Sequence, residues 1–258
     1  MNLYRVRLFI EKNCKGFDYS KRLLNDPVEF PHRYEKKEDI EIAGFIAALF
    51  AYGRVELFKP VIEKILSRMG KSPCDFLLNF KPSRHRRLFD GLYYRFQKEE
   101  DIIKLLSILN LLLQKDSSIE KAFCRFYSHE DEDTFSAIDG FSRYCLSLLK
   151  NTEGLRQLFP LPSGGSACKR MNLFLRWMVR KDEIDLGIWK GIPKNKLIIP
   201  LDIHIAKIGM RLGLTTRRTP DIKMAKEITS ALKRLDPEDP LKYDFVLCHT
   251  GMMNHRSR

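Results

Sequence analysis

The chain has 258 residues, 44% of them hydrophobic and 31% charged, the composition of a folded globular protein with a sizeable core. Lysine and arginine total 46 against 33 acids, a formal net charge of +13, and an excess of that size points to a polyanionic partner, nucleic acid before a membrane surface. No run of about eighteen apolar residues occurs, the start (Met1-Asn2-Leu3-Tyr4-Arg5-Val6-Arg7) lacks a signal peptide's apolar core, and six scattered cysteines show no C-x-x-C spacing, so neither a membrane span, a secretory leader, a disulfide framework nor a zinc or iron–sulfur site is expected, and the cytoplasm is the expected compartment.

The predicted elements are helices throughout. Residues 39–52 carry Ile42, Phe45, Ile46, Leu49 and Phe50 on a helical stripe, and 55–69 repeat it with Leu57, Val61, Ile62, Ile65 and Leu66 before stopping at Gly70. Residues 101–113 are nearly all apolar and predict a buried central helix. Helices over 118–127 and 134–149 follow, and the acidic stretch 129–133 between them reads as a solvated loop. Residues 169–180 place Met171, Leu173, Phe174, Trp177 and Met178 on one side. Helices over 203–212, ending before Gly213, 221–235 and 242–252 close the chain. Strand-like alternation, internal repeats and low-complexity tracts are absent, and helices joined by short turns predict one compact all-α unit.

Two segments carry candidate chemistry. Leu161-Pro162-Ser163-Gly164-Gly165-Ser166-Ala167-Cys168-Lys169-Arg170 is a Gly-rich turn opening a helix on a lysine. Such a turn serves either as a tight connection or as a helix-hairpin-helix, whose exposed backbone N–H groups grip a DNA phosphate. Burial and the like charge of Arg170 are expected to lower the Lys169 pKa and leave some neutral amine for attack; a phosphate-binding surface lysine is the alternative. Leu197-Ile198-Ile199-Pro200-Leu201-Asp202-Ile203-His204-Ile205 ends an apolar run on Asp-x-His at a helix start. Asp202 is either an N-cap alone or also a catalytic carboxylate. His204, Lys207 and Arg211 share a face of the helix that follows, either solvated or turned to phosphates. Lys169 and Asp202 are expected to face one cleft, within about 8 Å of each other, a gap that docking of substrate closes.

These residues carry a family resemblance. Pro200-Leu201-Asp202-Ile203-His204-Ile205 with Arg211-Leu212-Gly213-Leu214 resembles the catalytic Asp segment of the helix-hairpin-helix DNA glycosylase superfamily, which includes endonuclease III, adenine glycosylase and the 8-oxoguanine glycosylases. The hairpin with Lys169 resembles that superfamily's hairpin with its lysine nucleophile. The spacing to Asp202, together with Leu175-Arg176-Trp177-Met178, is similar to the archaeal 8-oxoguanine glycosylase branch. Tyr243-Asp244-Phe245-Val246-Leu247-Cys248-His249-Thr250-Gly251 resembles the superfamily's last helix. The whole chain also resembles a bacterial family of unassigned function bearing Asp-Pro-Val-x-Phe-Pro-His-Arg-Tyr (residues 26–34) and Ala-Tyr-Gly-Arg (residues 51–54). Three departures stand out: a hairpin longer than the usual Leu-Pro-Gly-x-Gly-x-Lys, no iron–sulfur cysteines after the last helix, and Cys248 where the oxoguanine branch has a base-stacking aromatic.

The resemblance implies a two-lobed fold with the active site between the lobes, lobe one being about residues 37–195 with the hairpin and lobe two about residues 1–36 plus 196–258. It implies a bifunctional DNA glycosylase and β-lyase of base excision repair, acting as a monomer without metal or cofactor on double-stranded DNA bearing a damaged base, most nearly 8-oxoguanine. Lys169 would attack C1′ and Asp202 would stabilise the cationic sugar. Asp244, Cys248 and Leu173 would line the base pocket, with Asp244 accepting from guanine N1–H and N2–H₂, or serving only as a helix-start acid. Gly164, Gly165, Ser166, Arg170, His204, Lys207, Arg211, Tyr52 and Arg54 would contact DNA; Tyr52 is alternatively a core tyrosine. The rival expectations are a catalytically inactive or differently specialised nucleic-acid-binding protein, a metal-dependent nuclease for which no carboxylate cluster is visible, and a helical RNA-binding scaffold.

Overall fold

The computed structural model describes residues 3–15, 23–24 and 26–256, with the side chains of Cys14 and of residues 251–256 outside the description. The expectations for Met1, Asn2 and part of the N-terminal section of lobe two fall outside it as well. The described residues are helical, with no strand; the only β pairings among them are the isolated bridges Tyr94–Gln97 and Lys181–Leu186. No helix among them is long and apolar enough to cross a membrane.

Helix α1 (Leu3–Cys14) is followed by two 3₁₀ turns, Pro27–Glu29 and Pro31–Arg33, and by α2 (Lys37–Phe50). From Ile42 to Phe50 every residue of α2 is buried, so the predicted stripe widens to the whole circumference. The two 3₁₀ turns lie against α2 on one side and α10 (Lys169–Val179) runs along another. Gly44 lets α2 and α10 approach: a Cβ there would come 2.9 Å from Met178 Cε. Phe45 of α2 meets Phe174 of α10 edge-on, with ring centroids 5.0 Å apart.

Helix α3 (Val55–Met69) ends where expected, at Gly70 with φ +80°. Short helices α4 (Pro73–Leu78) and α5 (Pro82–His85) follow, each opened by a proline at its first position. The sequence pattern missed both, because helices of four to six residues are too short to show a repeat. Helix α6 (Glu99–Asp116) is the predicted central helix, a turn longer than its apolar run, and it packs against α4 and α7 (Ile119–Cys124). Buried Glu41 of α2 receives the first N–H groups of α7, from Ile119 at 2.7 Å and Glu120 at 2.8 Å, and the indole N–H of Trp189 at 2.7 Å.

The loop over 129–133 is exposed at His129, Glu130 and Glu132, as expected, but Asp133 is buried, accepts from the Phe135 N–H at 2.8 Å and pairs with Lys226 at 2.8 Å. It ties the start of α8 (Phe135–Ser147) to the later helix α12 (Ile222–Lys233). Helix α9 (Glu153–Leu158), also missed, precedes the hairpin, and its Thr152 cap accepts from Leu155 N–H. Beyond α10, α11 (Ile203–Arg211) and α13 (Asp244–Arg256) pack together, with α1 against α13. The thiols of Cys74, Cys124, Cys145, Cys168 and Cys248 are free.

Candidate active site

The hairpin is built from short-range rules. Pro162–Gly164 makes one 3₁₀ turn, and Gly165 follows with φ +88°, in the left-handed region where glycine carries no Cβ clash. Nothing lies within 4 Å of where a Cβ would sit on Gly164 or Gly165, so the turn projects into open space. Asp139 of α8 accepts from the Ser163 N–H at 2.9 Å, and Ile222 N–H donates to Gly165 O at 3.2 Å. The turn is therefore pinned at both edges. Ser166 Oγ accepts from Cys168 N–H at 3.1 Å, and Cys168 itself is left-handed at φ +45°. That unusual residue swings the chain into α10, whose first residue is Lys169.

Asp202 sits at the N-cap of α11, after a buried run from Leu197 to Leu201. Its Oδ1 accepts from the His204 and Ile205 N–H groups, both at 2.9 Å. Its Oδ2 is left for Lys169 Nζ, 3.1 Å away. The carboxylate is thus held by two backbone donors and presented to the lysine in one orientation. Both side chains line one cavity of about 620 Å³, and their fractional exposures are 37% for Lys169 and 11% for Asp202. The expectation of a gap gives way to a formed ion pair.

The pair corrects the expected lysine chemistry. Burial acts to lower the Lys169 pKa, but the Asp202 carboxylate outweighs it and holds the ammonium above its ordinary value. For Asp202, burial acts upward, and Lys169 with the helix N–H groups overrides it, so its pKa falls. Arg170 adds little repulsion, because its guanidinium turns away: Nη1 donates to Leu49 O at 2.7 Å and Nη2 to Gln157 O, with the Tyr52 ring 4.9 Å beneath. It clamps the ends of α2 and α9 while lining the groove beside the hairpin.

Asp244 opens α13 on the cavity wall and is 2% exposed. Its Oδ2 is ion-paired with Arg176 of α10, while Oδ1 has no hydrogen-bond partner. The other edge of Arg176 reaches Asp185 at 3.1 Å, and Asp185 also pairs with Arg180, which binds Asp239 in turn. A buried carboxylate with one unsatisfied oxygen is costly, on the order of 1–3 kcal/mol, unless something enters to satisfy it. Burial raises the Asp244 pKa, against the pull of Arg176.

Leu173 and Cys248 also line the cavity, and the Cys248 sulfur lies 3.9 Å from Asp202 Oδ2. Burial, with Asp202 and Asp244 nearby, pushes the Cys248 thiol well up, so it stays protonated. Tyr52 stands at the boundary between this cavity and a neighbouring groove over α9 and the hairpin; Lys169 lines both. The Tyr52 hydroxyl is anchored on Gln97 and its ring meets Tyr94 at 4.9 Å. Arg54 is exposed, 3.6 Å from Glu56, on the rim beyond Gly53. His204 lines the cavity, and Lys207 and Arg211 are exposed, with the Arg211 guanidinium over the Phe9 ring of α1 at 5.1 Å. Among the described residues no group of three or more His, Cys, Asp and Glu side chains is placed to hold a metal ion.

Comparison with known proteins gives one assignment. A family described as a protein of unknown function, DUF2400, matches residues 26–253. The chain belongs to the DUF2400 family. No curated protein and no solved structure matches it. The matched range takes in the 3₁₀ turns at its start as well as Lys169, Asp202 and Asp244.

Sequence reasoning passed over two members of this DUF2400 site. Arg176 was legible as a charge on the apolar side of α10, between Phe174 and Trp177, which signals a buried partner. Its partners, Asp185 and Asp244, are far apart in sequence, so only the fold identifies them. Asp26 lines the same cavity from the N-terminal side. The Asp-Pro pair was visible, but its position beside Lys169 was not.

Proposed function

We propose that the chain is a DNA N-glycosylase with β-lyase activity that removes an oxidised purine, 8-oxoguanine foremost, from double-stranded DNA. The observation that carries the reading is the Lys169–Asp202 pair, 3.1 Å apart on the wall of a cavity of about 620 Å³. That volume holds a flipped nucleobase, and the net charge of +13 suits a polyanion. A two-lobed helix-hairpin-helix arrangement, a monomeric state and work on chromosomal DNA in the cytoplasm belong to the same proposal.

The proposed reaction assigns each group a task. The base leaves with the electrons of the C1′–N9 bond and takes up a proton, while Asp202 Oδ2 stabilises the positive charge on the sugar. Lys169 passes one ammonium proton to Asp202 or to the departing base, and its lone pair then forms the C1′–Nζ bond. A second Nζ proton moves to O4′ as the C1′–O4′ bond opens to a Schiff base, the C2′ proton is then taken by water, and the 3′ phosphate departs with the electrons of the C3′–O bond. The unpartnered Oδ1 of Asp244 accepts from the N–H groups of the guanine edge.

Borohydride trapping on a panel of single-lesion duplexes tests this. A covalent adduct with the oxidised-guanine duplex is expected, lost in Lys169→Gln with DNA binding retained. An adduct that persists in the variant assigns the nucleophile to another amine, and excision of other bases alone overturns the substrate. A second reading has one observation in its favour: the ion pair keeps Lys169 protonated at rest, as suits a nucleic-acid-binding protein without catalysis. Absence of any adduct on any lesion selects it.

A further inference from the structure

Oxidation of guanine at C8 leaves the N1–H and N2–H₂ donors unchanged. It converts N7 from a lone-pair acceptor into an N–H donor. Asp244, facing the unchanged edge in the reading above, therefore meets the damaged and the intact base alike. Discrimination needs an acceptor elsewhere in the cavity. Asp202 is committed, one oxygen to two helix N–H groups and the other to Lys169. Asp26 is the remaining carboxylate on the wall. Its Oδ1 caps the 3₁₀ turn by accepting from Val28 N–H at 3.0 Å, and its Oδ2 makes no hydrogen bond or ion pair to another described residue. The rest of that turn is fixed: Pro27 and Val28 are buried, Phe30 is buried, and Arg33 pairs with Glu29 and Glu63. The unpartnered Oδ1 of buried Asp244, a residue of the same cavity wall, is an acceptor that N–H donors of a ligand would satisfy.

We propose that Asp26 is the second acceptor of this cavity and sets its preference for an oxidised over an intact guanine. The inference rests on the glycosylase reading for the class of base. A carboxylate attracts N7–H and repels an N7 lone pair, so one group both selects and rejects.

Calorimetric titration of the full chain with 8-oxo-2′-deoxyguanosine and with 2′-deoxyguanosine tests it without requiring turnover. The wild type is expected to prefer the oxidised nucleoside by about tenfold or more. Asp26→Asn keeps its one oxygen on the Val28 N–H, so the turn persists, and its amide N–H₂ then presents a donor where the carboxylate presented an acceptor. The preference should therefore be lost or turn toward the intact nucleoside, with the far-ultraviolet circular dichroism unchanged. A preference that survives in Asp26→Asn, or none in the wild type, overturns the proposal. If the nucleoside preference stands and depends on Asp26 while no lesion duplex yields a borohydride adduct, the catalytic reading alone fails.

Discussion

Asp202 does three things with two oxygens: it caps α11, orients Lys169 and raises that lysine's proton affinity. Substitutions separate them. Asp202→Asn keeps a cap acceptor but removes the charge, so burial acts on Lys169 against only the weaker pull of Asp26 and its pKa should drop. Nuclear magnetic resonance of the Lys169 ε-carbon should show titration at lower pH than in the wild type; an unchanged midpoint would mean that another group holds the proton. The linkage signs follow. The raised Lys169 pKa contributes stability at pH below the ordinary lysine value, lost as pH rises through the folded-state value. The lowered Asp202 pKa contributes stability above the ordinary carboxylate value, lost as pH falls through the folded-state value. Asp202→Ala removes cap and charge together and should cost about 1–2 kcal/mol in denaturant unfolding.

At the level of elements, the hairpin is where local rules dominate. Gly164 and Gly165 both face open space, but only Gly165 is left-handed. Gly165→Ala should cost about 1–2 kcal/mol through backbone strain alone, while Gly164→Ala should stay within about 0.5 kcal/mol of the wild type. Equal losses on chemical denaturation would show that the turn does not hold the geometry described. The helices follow the same logic. Val55–Met69 was legible to the residue because Gly70 stops it; the helices expected over 203–212 and 221–235 start within a residue of that, after Asp202 and Asp221, but end earlier, at Arg211 and Lys233. Helices α4, α5 and α9 were not, since a turn or two of helix leaves no repeat and is fixed by packing.

For the molecule as a whole, the excess of basic residues is the strongest statement about partners, and it is a statement about the surface field rather than any one contact. Affinity for undamaged duplex DNA should fall steeply with salt, by about a thousandfold or more between 50 and 200 mM if six or more phosphates are neutralised. Lys169→Gln should leave that slope nearly unchanged, because its ammonium is paired with Asp202. Binding that is flat in salt would remove nucleic acid as the partner. The network of Arg176, Arg180, Asp185, Asp239 and Asp244 joins α10 to α13 beneath the cavity. Arg176, Arg180, Asp185 and Asp244 are buried together, so ion pairs cross-link the wall that carries the unpartnered oxygen of Asp244.

The sequence by itself determined the helical class, most of the longer helices and the placing of Lys169 and Asp202 at two helix starts. Those are decided by apolar spacing, caps and glycines within a few residues of each other. The tertiary structure decided everything that depends on residues remote in the chain. It closed Lys169 onto Asp202, reversing the expected direction of the lysine's pKa. It turned Arg170 onto the carbonyls of Leu49 and Gln157 and spent half of Asp244 on Arg176. It also carried Asp26 to the same cavity. A side chain's charge state and orientation depend on what lies within a few ångströms, and over such distances only the packed fold determines the neighbours.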